Sequence, residues 1–345
     1  MESGRKHYTL AAIIPCWNCA GEIGALLDCL LKQSFTDWIA FCVDDGCTDS
    51  TAEVIEDYAR QDQRIVYHRR ERLPKGAPTC RNIGMDLSEG SEYVVFLDAD
   101  DLIAPYCFER RILFLQEHPS VDFASFPMKA FKTEIYDDTF WGFGIPGSQE
   151  LLPSLLYWKT LQIVVPSNIY RRECLLGAGI RWDERVKSMQ DAEFNIQSLT
   201  KGLHHSFAAQ ERIDYFYRQG VSTVSQRIAD PSMFESHLYL IGKVTSSIQE
   251  AFQSRYDFNL KVYIVNFFAL FRQHKEPYRS LLKLGFVKNH PAFFFRIVLF
   301  LLLGLRGNTI LFKRYIKYST ETAKQWADIL SRVLHEKTEI ETANG

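Results

Sequence analysis

The sequence predicts an α/β domain built on a doubly wound, mostly parallel sheet, with a helical C-terminal extension. Three observations carry that prediction. Short apolar runs alternate with helix-period segments over the first 126 residues. Polar or acidic residues stand at the ends of several of those runs. After about residue 230 the pattern changes to long apolar stretches set among Lys and Arg. A chain of 345 residues is long enough to bury a substantial core as one large domain or two.

Each element has its own signal. Leu10–Ile14 is an apolar run of strand length. Ile23, Leu26, Leu27, Leu30 and Leu31 then recur at i, i+3, i+4, i+7 and i+8, which places them on one helix face. Trp38–Val43 is the second strand, and Ser50-Thr51-Ala52-Glu53 has the form of a capping box ahead of a helix carrying Val54, Ile55 and Tyr58. Ile65–His68 is a third strand and Thr79–Leu87 a helix. Tyr93–Leu97 is a short buried strand, and Pro105 opens a helix with Phe108, Ile112 and Leu115 on one face. Val121–Phe126 is a fifth strand. Strict strand–helix alternation favours parallel strands joined by crossovers.

From 127 to 160 the periodicity dissolves into a stretch rich in Trp, Tyr, Pro and Gly, read as a long substrate-side loop. Gly142-Phe143-Gly144-Ile145-Pro146-Gly147 matches a dinucleotide fingerprint, but no strand leads into it and no acid stands near 165, so no such site is expected.

The formal net charge is −2, yet it is unevenly spread. Eleven Lys and Arg lie between Lys261 and Lys317 against the single acid Glu276, which leaves an acidic body with a basic C-terminal segment. The expected organisation is a domain over 1–225, a basic and apolar helical region over 226–335 and a polar tail over 336–345. Val262–Phe271 and Ala292–Leu305 are strongly apolar, but the second is fourteen residues long and interrupted by Arg296. That is short of the ~20 residues needed to span a bilayer. Residues 258–318 are therefore expected to meet a membrane surface, or to pack on the body or on a second subunit as an oligomer. The long apolar stretches and the acidic remainder argue against nucleic acid as a partner. The apolar stretch before Pro15 is too short for a signal-peptide core. The eight cysteines are scattered without the density of a disulfide scaffold. The expectation is a cytoplasmic protein with reduced thiols, peripheral on the inner face of the cytoplasmic membrane. Cys16-Trp17-Asn18-Cys19 has redox spacing without a thioredoxin-like context.

The chemistry concentrates at strand ends. Pro15-Cys16-Trp17-Asn18 follows the first strand, Asp44-Asp45-Gly46-Cys47-Thr48-Asp49 the second, and Asp98-Ala99-Asp100-Asp101 the strand ending at Leu97. In a parallel sheet these ends share one edge, where ligands sit. Three neighbouring carboxylates cannot all be buried unpaired. One or two of them plus substrate phosphates suit a hard dication, so the cluster points to a metal-bridged diphosphate. Trp17 could stack on a base and Asp45 accept a nucleobase N–H. His204 and His205 would point to opposite faces of a strand and are read as structural.

Ala12-Ile13-Ile14-Pro15-x-Trp17-Asn18, Val43-Asp44-Asp45-Gly46-x-Thr48-Asp49, Cys80-Arg81-Asn82-x-Gly84 and Phe96-Leu97-Asp98-Ala99-Asp100-Asp101 occur in that order. Together they resemble the inverting nucleotide-sugar glycosyltransferases of family 2, which have the GT-A fold, over about residues 9–220. Trp17, Cys47 and Cys80 replace the family's usual Tyr or Phe, Ser and Ala. The resemblance implies that Pro15, Trp17, Asn18 and Asp45 surround the nucleotide, and that Asp98 and Asp100 hold Mn²⁺ or Mg²⁺, with Asp98 also near the donor. It places Arg81 either near the diphosphate or bracing the acidic cluster, and Arg218, in Tyr217-Arg218-Gln219, at the leaving group. In Met189-Gln190-Asp191-Ala192-Glu193-Phe194 the base position falls on Asp191, with Gln190 in place of the usual Glu and Glu193 as a fallback. The implied reaction is metal-dependent transfer of a hexosyl or N-acetylhexosaminyl group, from a nucleotide-sugar with UDP the favoured carrier. The acceptor would be a glycan or lipid-linked hydroxyl in cell-envelope polysaccharide assembly. The alternatives are a catalytically weak nucleotide-sugar-binding protein and, lower, a nucleotidyltransferase, which would need a Gly-rich basic loop that Trp17-Asn18-Cys19-Ala20 does not offer.

Overall fold

The computed structural model describes residues 7–132, 151–156, 164–219 and 233–257, with a few positions between 259 and 289. The chain forms two compact units, 1–261 and 262–345, and every element described below belongs to the first. The glycine-rich 142–147 motif, the 292–305 stretch, the 336–345 tail and almost all of 258–318 lie outside the described residues.

A seven-stranded sheet forms the centre. Its strands are β1 (Leu10–Cys16), β2 (Trp38–Asp44), β3 (Ile65–Arg69), β4 (Tyr93–Phe96), β6 (Phe123–Ser125), β8 (Asn168–Arg171) and β9 (His205–Phe207), in the order β3-β2-β1-β4-β8-β6-β9. Strands β3, β2, β1 and β4 run parallel, as the alternation predicts. β8 is antiparallel to both β4 and β6, and β6 is parallel to β9. A second sheet of three strands, β5-β10-β7, comprises Leu102–Ile103, Tyr215–Arg218 and Met128–Phe131. So part of the stretch expected as a loop is strand β7, and Leu151–Leu156 within it is helix α5. β10 carries the Tyr-Arg segment and pairs with β5, which follows the acidic cluster directly.

Helices α1 (Ile23–Leu31), α2 (Thr51–Gln61), α3 (Ala77–Leu87) and α4 (Cys107–Glu117) follow β1, β2, β3 and β5. The buried face of α1 is Ile23, Leu26, Leu27 and Leu30, as spacing predicts. The expected capping box on α2 does not form: Ser50 makes no side-chain cap. Asp49 takes its place, accepting the Thr51 N–H and hydroxyl on Oδ1 at 3.1 and 2.6 Å. Gly84 explains part of the Cys80–Gly84 motif: a Cβ there would lie 2.3 Å from Cγ2 of Ile13, so only glycine lets α3 rest on β1.

Helices α6 (Arg172–Gly177), α7 (Gln190–Thr200) and α8 (Phe234–Phe252) complete the unit, α8 packing on α7. Phe96 packs edge-on against Tyr170, Trp182 and Phe194, which binds α7 to the sheet. Arg111 is fully buried, forked onto Asp214 at 2.7 and 2.8 Å, and also donates to the carbonyls of Pro166 and Asn168. Among the described residues no helix is long and apolar enough to cross a membrane.

Candidate functional site

The ends of β1 and β2 are tied together residue by residue. Cys16 pairs with Asp44 in register, and the Asp45 N–H donates to the Cys16 carbonyl at 2.9 Å. Asn18, at φ 46°, accepts the Thr48 N–H on Oδ1 at 2.8 Å and gives its Nδ2 to the Thr48 hydroxyl. It thus braces the two loops against each other. Asp44 Oδ1 accepts N–H bonds from Gly46 and Cys47 at 2.7 and 2.6 Å, and Oδ2 accepts the Tyr67 hydroxyl. Burial opposes its charge, but these donors outweigh burial and hold its carboxyl below the ordinary range.

Asp45, beside it, accepts Arg70 Nε at 2.6 Å, the Gly76 N–H at 3.1 Å and the Cys80 thiol, all on Oδ1. Trp17 is 52% exposed, with Lys75 Nζ 5.3 Å from its ring centre. Pro15 lies half-buried just behind it. An exposed aromatic face, a fixed acid and a bracing amide form one rim.

The acidic cluster follows β4, whose neighbour in the sheet is β1. Asp98 accepts Arg81 Nη2 on Oδ1 at 2.6 Å. Burial, then the nearby Asp98 charge, push the Asp100 carboxyl up to about 6. Arg218 meets this pair from β10: its Nε donates to the Asp100 carbonyl at 2.7 Å, and its guanidinium lies 4.6 Å from the Phe131 ring. Asp101 plays a different part. It is 1% exposed and accepts the Tyr215 hydroxyl and the Arg218 N–H, so it anchors β10 beneath the cluster. The donor set fits a hard dication: two adjacent carboxylates whose mutual repulsion a cation would relieve, with further oxygens left for a phosphate ligand to supply. Among the described residues no third acid, His or Cys completes a cage.

Arg81 connects this cluster to α7. Its Nη1 donates to Gln190 Oε1 at 3.1 Å, and its guanidinium lies over the Trp182 ring at 4.4 Å. It therefore braces the acidic cluster, one of the two positions the motif left open. Asn82, beside it, gives Nδ2 to the Trp182 carbonyl and Glu184 Oε1, both at 2.9 Å, and accepts the Trp182 N–H at 3.0 Å. Arg72, in the loop after β3, forks onto the same Glu184. The segment leading into α7 is thus clamped to α3.

Asp191 stands in the first turn of α7, where the helix N-terminus favours an anion. Burial pushes its carboxyl up to about 6, Arg81 pulls it down, and the Asp98 charge pushes it up again. Glu193 is not a fallback base: it is 2% exposed and bound by Lys243 Nζ at 2.5 Å and by Gln197. His205 packs on Phe123 and Phe207 and meets the Ser125 hydroxyl, while His204 pairs with Asp122, so both serve the fold. All eight cysteines are free thiols.

Of the residues expected at the site, the structure joins Trp17, Asn18 and Asp45 on one rim and links Arg81, Asp98 and the α7 turn bearing Asp191. It places Arg218 against Asp100. The roles of Arg70, Asn82, Asp101 and Tyr215 were not read from the sequence. Asn82 lay inside a motif already noticed, whereas Arg70 and Tyr215 depend on tertiary contacts alone.

An exposed ring, an acidic pair after a central strand and a carboxylate at a helix N-terminus thus stand at the sheet edge where α/β domains bind their ligands. Residues 11–175 match the model of glycosyl transferase family 2. An uncharacterized glycosyltransferase of Haemophilus influenzae is 30% identical over 207 residues, covering 60% of this chain and 67% of that protein. The chain belongs to glycosyl transferase family 2. The poly(ribitol-phosphate) beta-N-acetylglucosaminyltransferase TarS of Staphylococcus aureus is 28% identical over 237 residues, 67% of this chain, which spans only 39% of that protein's length. The crystal structure of S. aureus TarS 1–349 in complex with UDP-GlcNAc superposes with a TM-score of 0.64, at 21% identity and 81% coverage of each chain. The fold is that of the GT-A glycosyltransferases.

Proposed function

We propose that this chain transfers a sugar, with inversion, from a UDP-sugar to a hydroxyl of a cell-envelope polymer or lipid-linked glycan. One observation carries the reading: Arg81 holds Asp98, at the end of β4, and Gln190, next to Asp191, in a single fork. The groups suited to a leaving diphosphate and the group suited to a base therefore occupy one rigid frame.

Trp17 and Asp45 would receive the base of the nucleotide, the ring by stacking and the acid by accepting an N–H. Asp191, titrating near 6, is ionised at neutral pH yet basic enough to take the acceptor's proton as the hydroxyl attacks. Attack opposite the departing diphosphate inverts the sugar carbon without a covalent intermediate. Arg218, beside Asp100, adds positive charge where the diphosphate leaves. Asp98 and Asp100 are the residues to hold Mn²⁺ or Mg²⁺, which would neutralise charge on the leaving group. TarS, by its name and its complex, supports a UDP-sugar donor and a polyol-phosphate acceptor. The basic, apolar segment 258–318 is the part proposed to meet an anionic membrane surface.

The test is transfer from a panel of UDP-sugars to poly(ribitol phosphate), followed by mass spectrometry with Mn²⁺, Mg²⁺ or chelator. Asp191→Asn is expected to lower kcat by ~10³, the range of a general base. Asp100→Asn is expected to abolish the metal response. Wild-type rates in either variant would overturn the corresponding assignment.

A further inference from the structure

Gln190 opens α7 directly ahead of Asp191, and both ends of its carboxamide are engaged. Oε1 accepts from Arg81, and Nε2 donates to the Lys187 carbonyl at 3.2 Å. A carboxylate could keep the first contact but has no N–H for the second. Arg81 is held on its other side by Asp98, its side chain is 5% exposed, and its Nε is buried with no hydrogen-bond partner. Its charge is therefore shared among very few groups.

The charged and titratable groups facing Asp191 are Arg81 from α3, Asp98 after β4 and Tyr170 from β8, with the Val165 N–H adding a hydrogen bond. Arg81 and Asp98 oppose each other, and Gln190 adds no charge to that balance.

We propose that Gln190 is a positioning residue whose neutral carboxamide clamps Arg81 between the first turn of α7 and Asp98, and so sets the field at the Asp191 carboxyl. The consequence for catalysis rests on Asp191 being the base; the clamp itself does not. The experiment uses the full metal-free chain, with aspartate carboxyls labelled with ¹³C and arginines with ¹⁵N. The Asp191 resonance is the one missing from Asp191→Asn, and the Arg81 signals are those missing from Arg81→Lys.

In Gln190→Glu the Asp191 midpoint is expected to rise by about one pH unit, because a second carboxylate competes for Arg81. In Gln190→Met, which keeps neutrality and removes the acceptor, the distinct Nη signals of the held guanidinium are expected to merge as it begins to rotate. An unmoved midpoint in the first variant, or unmerged signals in the second, overturns the proposal. Full transfer by Asp191→Asn would instead overturn the base assignment and leave both resonance shifts in place.

Discussion

The rim of Trp17, Asn18 and Asp45 and the turn bearing Asp191 are built on opposite principles. At the rim, contacts are local or run between adjacent strands: Asp44 is satisfied by N–H groups two and three residues on, and Asn18 by a neighbouring loop. Its Asp44 carboxyl is held below the usual range. At the α7 turn, the holding contacts span 109 residues from Arg81 to Gln190 and 102 from Asn82 to Glu184. Asp191 there is pushed up to about 6, with burial as the largest cause. The rim thus holds a fully satisfied anion and the α7 turn an under-satisfied one, the difference that the proposed binding and base roles require.

Among variants outside the proposed base and metal ligands, the largest effect is expected where the two regions are joined. Arg81→Ala should lower kcat by ~10² or more, since it leaves Asp98 unpaired and frees the α7 turn, and misplaced groups cost on that scale. Arg81→Lys keeps the charge but not the fork, and should recover only part of the rate. A fully active Arg81→Lys would mean that charge alone couples the regions.

Next comes pH. Transfer should fall about tenfold per unit below pH 6 as Asp191 protonates. Stability should run the other way. An acid with a raised folded-state value binds more protons folded than unfolded between its ordinary value near 4 and about 6. The metal-free protein should therefore lose stability as pH rises through that window. Asp44, with a lowered value, contributes stability that is lost as pH falls through its folded value. Urea denaturation across pH tests both slopes: Asp191→Asn should flatten the upper one and Asp44→Asn the lower. If Asp191→Asn leaves the upper slope intact, Asp191 is not the under-satisfied acid described.

The same contrast governs what could be read before folding. The strands β1 to β4 and the rim residues were legible because their signals are contiguous: apolar runs, helix-period leucines and acids at strand ends. The Asp191 turn was located by motif but not explained, because Gln190 and Arg81 acquire meaning only once α3 and α7 meet. β7 and β10 were missed, being four residues each in aromatic and basic sequence that carries no clean period-two pattern. Glu193 stood as a fallback base through the family resemblance, and the contacts that tie it into the fold, from Gln197 and from Lys243 on a helix 50 residues on, appear only in the structure.

Asn82 measures how much the long-range side depends on one amide. Asn82→Ala removes two donated bonds and one accepted bond, leaving the Trp182 N–H and carbonyl buried without this partner. A cost of about 2–3 kcal/mol is expected from equilibrium denaturation. Asn82→Asp should be nearly as damaging, since it cannot donate to the Trp182 carbonyl and faces Glu184.

The smallest effect belongs to the rim, and it separates two neighbouring residues, of which the sequence marked only Ser50 as a cap. Ser50 has the capping-box pattern, but only its carbonyl meets the helix, accepting the Val54 N–H, and its side chain makes no cap, so Ser50→Ala should leave stability unchanged within error. Asp49 accepts the Thr51 N–H and hydroxyl on one oxygen and the Ala20 N–H at 3.2 Å on the other. The Thr51 hydroxyl oxygen in turn accepts the Cys19 N–H at 2.9 Å. Asp49→Ala should therefore cost about 1 kcal/mol, as loss of a helix cap does. It should also loosen the turn carrying Trp17 and Asn18, and so weaken UDP binding, measured by calorimetry, more than Asn82→Ala does. Equal weakening by both would show that the rim is held from across the molecule as much as the α7 turn is, and the division between a locally built rim and a remotely positioned turn would not stand.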